Sequence, residues 1–486
     1  MKNTSIKFLK NHSPIILFLI FYFSITFYKL VSSPAPFYDW DESIYAQVGR
    51  EMVTQKSIVP LWQGKIWLDK PPLAPLAYGI IGRTIPVSPE ISTRTFTLLL
   101  SILILALFYI FYYRLTNNKI VPLLTVIISS FTPIFLQRAQ VLNVDVFLLL
   151  GWIGYLVFYS NFWLSFIFLS IGVLSKSLLG FYPVIGMALI LLIQLYFKQV
   201  DSRSFKQQLK SMLAQVAILS LWYLTMLIAY KYAFIKNQFL EAMLKRVTAS
   251  IESHFGQKTY YIAMIIEQLK LLIFTSVISI VLLGKEFFSK KDVKKTLLLL
   301  FFVPWFLFLN LTKTKIAWYI YPVIIQFAFL GSYLLIYLRK YVFVVVLITI
   351  TTIAIVFNKA FRKNNFFTTL YSAYDQYYEL ANYAKDHCYE YIEILVDPST
   401  RQTYDVLNKM NLTISTTKWW GNHPAIVYYS KKVVNFTYDK TEFVNNLTSL
   451  NPTMCAVISN DESDIKFNKL ILLKKFKDVG LYTKSL

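Results

Sequence analysis

Eleven stretches of mostly apolar residues recur along this chain, near 14–33, 94–113, 120–136, 144–160, 162–175, 177–197, 212–232, 260–283, 296–311, 317–337 and 341–357. Each is close to the roughly 20 apolar residues that a helix needs to cross about 30 Å of hydrocarbon. The pattern predicts a polytopic α-helical membrane protein with about eleven transmembrane helices over 1–357. Lys2, Lys7 and Lys10 before the first run resemble a signal peptide, but no small-residue cleavage site follows, so a retained helix is expected. After residue 357 the apolar content falls. Short runs at Tyr391–Val396, Ala425–Tyr429, Met454–Ser459 and Lys469–Leu473 read as strands, and Asp397-Pro398-Ser399-Thr400 reads as a turn into a helix near 401–409. Residues 358–486 are thus expected to form a small α/β domain.

Composition agrees with this picture. Of 486 residues, 56% are hydrophobic and 15% charged, well below the quarter charged that is usual for soluble domains. With 40 Phe, 34 Tyr and 10 Trp the chain is not disordered, and two cysteines, Cys388 and Cys455, are too few for a disulfide framework. The net charge of +23 is spread between apolar runs and forms no single stripe, which argues against nucleic acid as a partner. Positive charge instead sets topology. Arg114/Lys119, Lys198/Arg203/Lys206/Lys210, Lys285/Lys290/Lys291/Lys294/Lys295 and Arg339/Lys340 fall in alternate connections with the N-terminus, a consistent cytoplasmic set. That leaves loops 34–93 and 233–259 and the C-terminal domain outside.

The outside segments carry the candidate chemistry. Asp39, Asp41 and Glu42 follow the first run in "YDWDESIYAQVGREM", and Tyr45 shares a helical face with Asp41. An N-cap at Asp41 is the alternative reading. In "WLDKPPLAP", two prolines hold Trp67, Asp69 and Lys70 in extended backbone. Arg138 and Asp145, Lys176, Lys245, Arg246 and His254, and Lys313 and Lys315 before Trp318, Tyr319 and Tyr321 punctuate the outer ends of the runs. Ionisable groups at membrane depth point to a functional site; for one lysine alone snorkelling is the better reading, and it is the aggregate that carries the functional one. Carboxylates, fixed cations and an apolar groove together fit a lipid with a phosphate-linked head group.

The order of "DWDESIYAQVGREM", "WLDKPPLAPLAYGIIG", "PEISTRTFTLLLS", "VLNVD", "LSKS" and "WYIYPV" resembles the GT-C membrane glycosyltransferases. The branch is the one containing the bacterial aminoarabinose (lipid A) transferase and the protein O-mannosyltransferase-like enzymes. The resemblance covers roughly 14–340. It implies inverting transfer of a sugar from a polyprenyl-phosphate donor (undecaprenyl or dolichyl) to a lipid, glycan or protein acceptor at the outer face of a bacterial cytoplasmic membrane. It places the catalytic base at Asp41, with Glu42 or Asp39 as alternatives, and a second acid at Asp145. It assigns donor-phosphate binding to Lys70 and Lys176, with Arg138, Arg246 and Lys315 in support. Tyr45, Trp67, Tyr319 and Tyr321 become substrate-binding candidates. In some relatives a divalent metal lies between an acid and a distant histidine, which correspond here to Asp69 and His254. A transporter or flippase of a lipid-linked or anionic substrate is the competing reading. It lacks the internal repeat that transporters often show.

Overall fold

The computed structural model describes residues 12–32, 34–38, 40–289, 292–337, 342–358, 360–361, 375–449, 454–462 and 470–484. Asp39, the N-terminal lysines, Lys290, Lys291, Arg339 and Lys340 lie outside the described residues.

Every apolar run falls on helix. The first is α1 (Ser13–Ser32), followed in the next connecting segment by α2 (Asp41–Thr54), the hairpin β1 (Leu61–Trp62) and β2 (Lys65–Ile66), and α3 (Leu73–Thr84). Helix α4 (Pro89–Thr116) shows how the sequence sets its ends. Ser88 accepts from the Ile91 amide at 3.3 Å, Pro89 opens the first turn, and Asn117 closes it in the left-handed region at φ 50°. Next come α5 (Ile120–Ser130), α6 (Pro133–Arg138), α7 (Asp145–Phe158), α8 (Phe162–Lys176), α9 (Tyr182–Tyr196) and α10 (Ser202–Ile235). The last is kinked at Lys231 and runs into a π-helical segment, Lys236–Lys245. The membrane part ends with α11 (Tyr260–Leu269), α12 (Leu272–Phe288), α13 (Val293–Leu299), α14 (Val303–Leu311), α15 (Tyr321–Tyr337) and α16 (Val342–Asn358).

Among the described residues five helical segments are long and apolar enough to cross a membrane, or up to seven if each of two bent pairs is one span. The expected runs at 260–283 and 296–311 are those pairs, bent by 112° and 50°. The two expected runs at 162–175 and 177–197 form one 35-residue helical segment, interrupted by a tight turn at Ser177–Phe181. Helices α7 and α15 are buried on nearly all sides and form the centre around which the others pack.

The C-terminal domain contains α17 (Gln376–His387), β3 (Tyr391–Leu395), α18 (Pro398–Lys409), α19 (Ala425–Ser430), β4 (Val433–Thr437), α20 (Lys440–Ser449), β5 (Cys455–Ser459), β6 (Leu470–Lys475) and β7 (Val479–Lys484). Its five-stranded sheet has the order β4-β3-β5-β7-β6. Strands β4, β3 and β5 are parallel; β7 runs antiparallel to β5, and β6 antiparallel to β7. The expected helix after Asp397-Pro398 forms, with the Asp397 carboxylate accepting from the Thr400 amide. The expected strand at Ala425–Tyr429 is instead helix α19. A five-residue apolar run has no period that separates strand from buried helix. Here Pro424 opens a turn, and the segment is buried between α2 and α17. Cys388 and Cys455 form a disulfide that ties the end of α17 to β5. Two cysteines are too few for a framework but enough for one bridge.

Helix α19 fixes this domain on the membrane part. The Tyr429 hydroxyl accepts from the Phe37 amide at 2.6 Å and donates to Glu90 at 2.9 Å. Arg50 donates to the Tyr428 carbonyl at 2.7 Å and lies over the Tyr428 ring. Gln63, at the hairpin tip, bonds both the amide and the carbonyl of Val434.

Candidate active site

Helix α2 is held in place by its packing on α3. A Cβ at Gly49 would lie 2.3 Å from the Pro75 carbonyl oxygen, and one at Gly79 would lie 2.1 Å from the Gly49 carbonyl oxygen. The two backbones meet where only glycine fits. The "DWDE" segment and the Lys-Pro-Pro segment, some thirty residues apart, are thereby joined into one unit.

Between this unit, the adjoining ends of α6, α7 and α8, the segment 246–254, and the C-terminal domain lies a cavity of about 600 Å³. Its lining brings together Asp41, Glu42, Tyr45, Trp67, Asp69, Lys70, Arg138, Asp145, Lys176, Arg246, His254 and Tyr319, twelve of the residues singled out in the sequence. A second, apolar cleft of about 80 Å³ shares Asp145, Lys176, Arg246 and Tyr319 with it and continues along Leu148, Trp305, Phe308 and Leu309. Tyr321 faces this cleft and does not line the larger cavity.

The carboxylates differ in what they have left to offer. Glu42 is 1% exposed and accepts from Arg94 Nε at 3.0 Å and Nη2 at 2.7 Å, and from the amides of Leu142 and Tyr38 at 3.0 and 2.8 Å. Its four acceptor directions are taken, which favours a structural role for Glu42 over that of catalytic acid or base. Asp145 pairs with Lys176, whose ammonium also sits 4.7 Å from the centre of the Tyr319 ring. The Asp69 carboxylate accepts from Thr416 Oγ at 2.6 Å; burial raises its pKa, and Lys70 partly offsets this. Asp41 is different. Its side chain is 40% exposed, against 2% for Glu42 and 9% for Asp145, and its closest cation is Arg138 at 3.6 Å. It is the first residue of α2, and the N-cap position belongs to Trp40. The cap reading of Asp41 therefore does not describe this helix.

The cations are placed with equal care. Arg138 is 3% exposed, lies 4.0 Å over the Trp318 ring, and keeps its Nε without a hydrogen-bond partner among the described residues. Arg246 pairs with Glu252 at 3.2 Å and also leaves Nε unpartnered. Lys70 makes no ion pair or hydrogen bond among the described residues; burial, with Arg246 adding to it, pulls its ammonium down to about 8, while Asp69 works the other way. Burial also lowers His254 and raises Tyr45 well above the usual phenol range, in the latter case helped by Asp41. Strained backbone borders the same residues. Trp40 (φ 72°), Ser177 (φ 58°), Glu252 (φ 54°) and Ser253 (φ 63°) flank Asp41, Lys176 and His254. Conformations of this kind cost about 1–3 kcal/mol each and gather at working sites.

Other candidates are placed differently. Lys315 is 4% exposed, and its ammonium donates to the Leu309 and Asn310 carbonyls at 3.2 and 3.1 Å. It therefore satisfies the C-terminus of α14, a favourable place for a cation, and does not reach the cavity. Lys245 bonds Asn411 and Thr413 of the C-terminal domain, and Lys313 is exposed away from the cavity. Asp69 and His254 share the lining, yet among the described residues no group of three or more His, Cys, Asp or Glu could hold a metal ion. Asp69 is engaged by Thr416, and the neighbouring Glu252 by Arg246. These residues do not fit a divalent cation.

Part of the cavity wall was not foreseen. Thr400, Thr403, Tyr404, Leu407, Ile414, Thr417, Trp420, Gly421 and Tyr438 of the C-terminal domain all line it. The only signal in the sequence was the spacing of Thr400, Thr403, Tyr404 and Leu407, which share one face of α18.

A family model described as "Dolichyl-phosphate-mannose-protein mannosyltransferase" matches residues 13–240, just under half of the chain. An uncharacterized protein of Aquifex aeolicus (strain VF5) is 28% identical over 320 residues, 63% of this chain; the chain spans 59% of that relative's length. The crystal structure of ArnT from Cupriavidus metallidurans bound to undecaprenyl phosphate matches with a TM-score of 0.65 at 12% identity, over 98% of each chain. Its apo state matches with a TM-score of 0.66 at 13% identity, over 96% of this chain and 97% of that one. An Archaeoglobus fulgidus oligosaccharyltransferase, in complex with Zn and sulfate, matches at 0.55 and 11% identity, over 91% of this chain and 67% of that one. The solved structures share the fold, and the family model carries the sequence relationship. The chain thus has the fold of these membrane structures, and residues 13–240 are similar in sequence to the mannosyltransferase family.

Proposed function

We propose that the protein transfers a sugar, with inversion, from a polyprenyl-phosphate carrier to an acceptor hydroxyl at the outer face of a cytoplasmic membrane. The carrying observation is a cavity that gathers an open carboxylate, Asp41, with four cations and shares part of its wall with an apolar cleft. Asp41 takes the acceptor's hydroxyl proton as that oxygen bonds the anomeric carbon. The bond from that carbon to the phosphate oxygen breaks, and polyprenyl phosphate leaves with the electron pair. Charge grows on the phosphate during this step, so fixed cations favour the transition state over the bound donor. Lys70, Lys176, Arg138 and Arg246 fill that role, the two arginines through buried donors left unpaired in the free protein. The apolar cleft receives the first part of the polyprenyl tail. Asp145 holds Lys176 in position.

The eleven runs would each cross or enter the membrane, with the N-terminus inside and the C-terminal domain outside. The Cys388–Cys455 bridge supports that side, because disulfides persist in oxidising compartments. The test is thermal stability in detergent with undecaprenyl phosphate, against the matching polyprenol without phosphate. A ligand at a hundredfold excess over its Kd stabilises by about 2.7 kcal/mol. The expected result is a phosphate-dependent shift in wild type that shrinks in Lys70→Ala. An equal shift with the bare alcohol would sink the proposal and favour transport of a lipid.

A further inference from the structure

The two sides of the cavity differ in kind. Of the lining residues on the membrane side, nine bear acidic or basic groups in addition to His254. Among the described residues, none of the nine contributed by the C-terminal domain is charged. Thr400, Thr403, Tyr404 and Leu407 face the cavity from α18, and Tyr438 and Trp420 stand beside them. The Tyr404 and Tyr438 rings lie 4.6 Å apart, and neither hydroxyl makes a hydrogen bond among the described residues. Trp420 is fixed edge-on against Trp62 and Trp67 at 4.7 and 6.3 Å.

From this we infer that the acceptor is a neutral saccharide, held by the face of α18 with Tyr438 and Trp420. This rests on the transferase reading above and narrows it. Aromatic faces take the apolar face of a sugar ring, and tyrosine and threonine hydroxyls exchange hydrogen bonds with its own hydroxyls. A phosphorylated acceptor would have to shed water from its charge against a wall that offers no cation, which is strongly unfavourable. Lys418, whose ammonium lies 5.7 Å from the Tyr404 ring centre, does not line the cavity.

The experiment presents the full-length protein in detergent to an array of neutral, phosphorylated and sulfated glycans. Undecaprenyl phosphate thermal shifts are measured alongside. Wild type is expected to bind neutral glycans, with at least tenfold weaker binding in Tyr404→Ala and in Thr403→Glu. Thr403 is exposed on α18, so that second variant reads the wall even if the first one loses its fold. The undecaprenyl phosphate shift should be the same in all three. Preference for phosphorylated or sulfated glycans, no glycan binding at all, or neutral binding indifferent to both variants would overturn the inference. The two readings fail separately. Neutral binding that depends on Tyr404, without any response to undecaprenyl phosphate, would keep the saccharide wall and remove the transferase. The reverse would remove the wall alone.

Discussion

The two walls of the cavity solve opposite problems. The membrane-side wall must hold cations near lipid without a permanent counter-ion from solvent. It does so by giving Arg138, Lys176 and Arg246 each a carboxylate, at Asp41, Asp145 and Glu252. Charges so paired are preorganised yet incompletely satisfied, and an arriving phosphate can complete them. The C-terminal wall carries no charge among its described lining residues and relies on rings and hydroxyls. On the proposed function, the comparison separates the reaction from recognition: the charged groups that would serve the transfer lie on one side, and the rings and hydroxyls that would read the acceptor lie on the other.

The sharpest way to break that division is Asp41→Asn. If Asp41 is the base, turnover should fall by about 10² to 10⁴, the usual contribution of a positioned base, while the undecaprenyl phosphate shift persists. Sugar transfer measured alongside that shift checks both halves, and retained turnover would move the base elsewhere. Glu42→Gln, one residue away, should act on the fold. It leaves Arg94, 2% exposed, without its counter-charge, and breaking one side of a buried pair costs about 3–5 kcal/mol. A variant that melts like wild type but fails in transfer would return Glu42 to the chemistry.

The two walls were unequally legible in the sequence. Apolar runs long enough for helices, and charges that interrupt them at one end, were enough to mark Asp41, Lys70, Arg138, Lys176 and Arg246, because charge at membrane depth needs a reason. The same logic overreached at Lys315. A lysine closing α14 and a lysine reaching a ligand look alike until the Leu309 and Asn310 carbonyls are seen beside it. The pairing of Glu42 was equally hidden, since its partner Arg94 lies 52 positions along the chain. The neutral wall carried almost no signal, because threonine, tyrosine and leucine at helical spacing read as an ordinary amphipathic face. Helix α19, which seats the domain, was misread because a short apolar run has no period of its own.

Seating the second wall also depends on the bridge between Cys388 and Cys455, which closes a separation of 67 residues. The loop-entropy model assigns such a bridge about 4 kcal/mol at most. Cys388→Ser should destabilise the C-terminal domain by about 2–4 kcal/mol and weaken glycan binding before the undecaprenyl phosphate response, as followed by thermal unfolding with and without reductant. Equal loss of both responses would mean that the two walls fold as one unit.

The smallest expected effect belongs to Lys70, the cavity cation with no ion pair among the described residues. Replacing it with Ala should weaken undecaprenyl phosphate binding by about 1.5–3 kcal/mol, one hydrogen bond to a charged group. Its titration gives a sign as well as a size. In the free protein the ammonium loses its proton near pH 8, pulled down chiefly by burial. Bound phosphate favours the charged form and raises that value, so the complex holds its proton to higher pH. Affinity should therefore be full below about pH 8 and decline as pH rises through it, until the pKa of the complex is reached. Lys70→Arg, whose guanidinium stays protonated, should flatten the profile over the same range. A wild-type affinity constant from about pH 7 to 9.5 would show that the phosphate is held by the arginines and Lys176 alone, and the charged wall would then need only its paired cations.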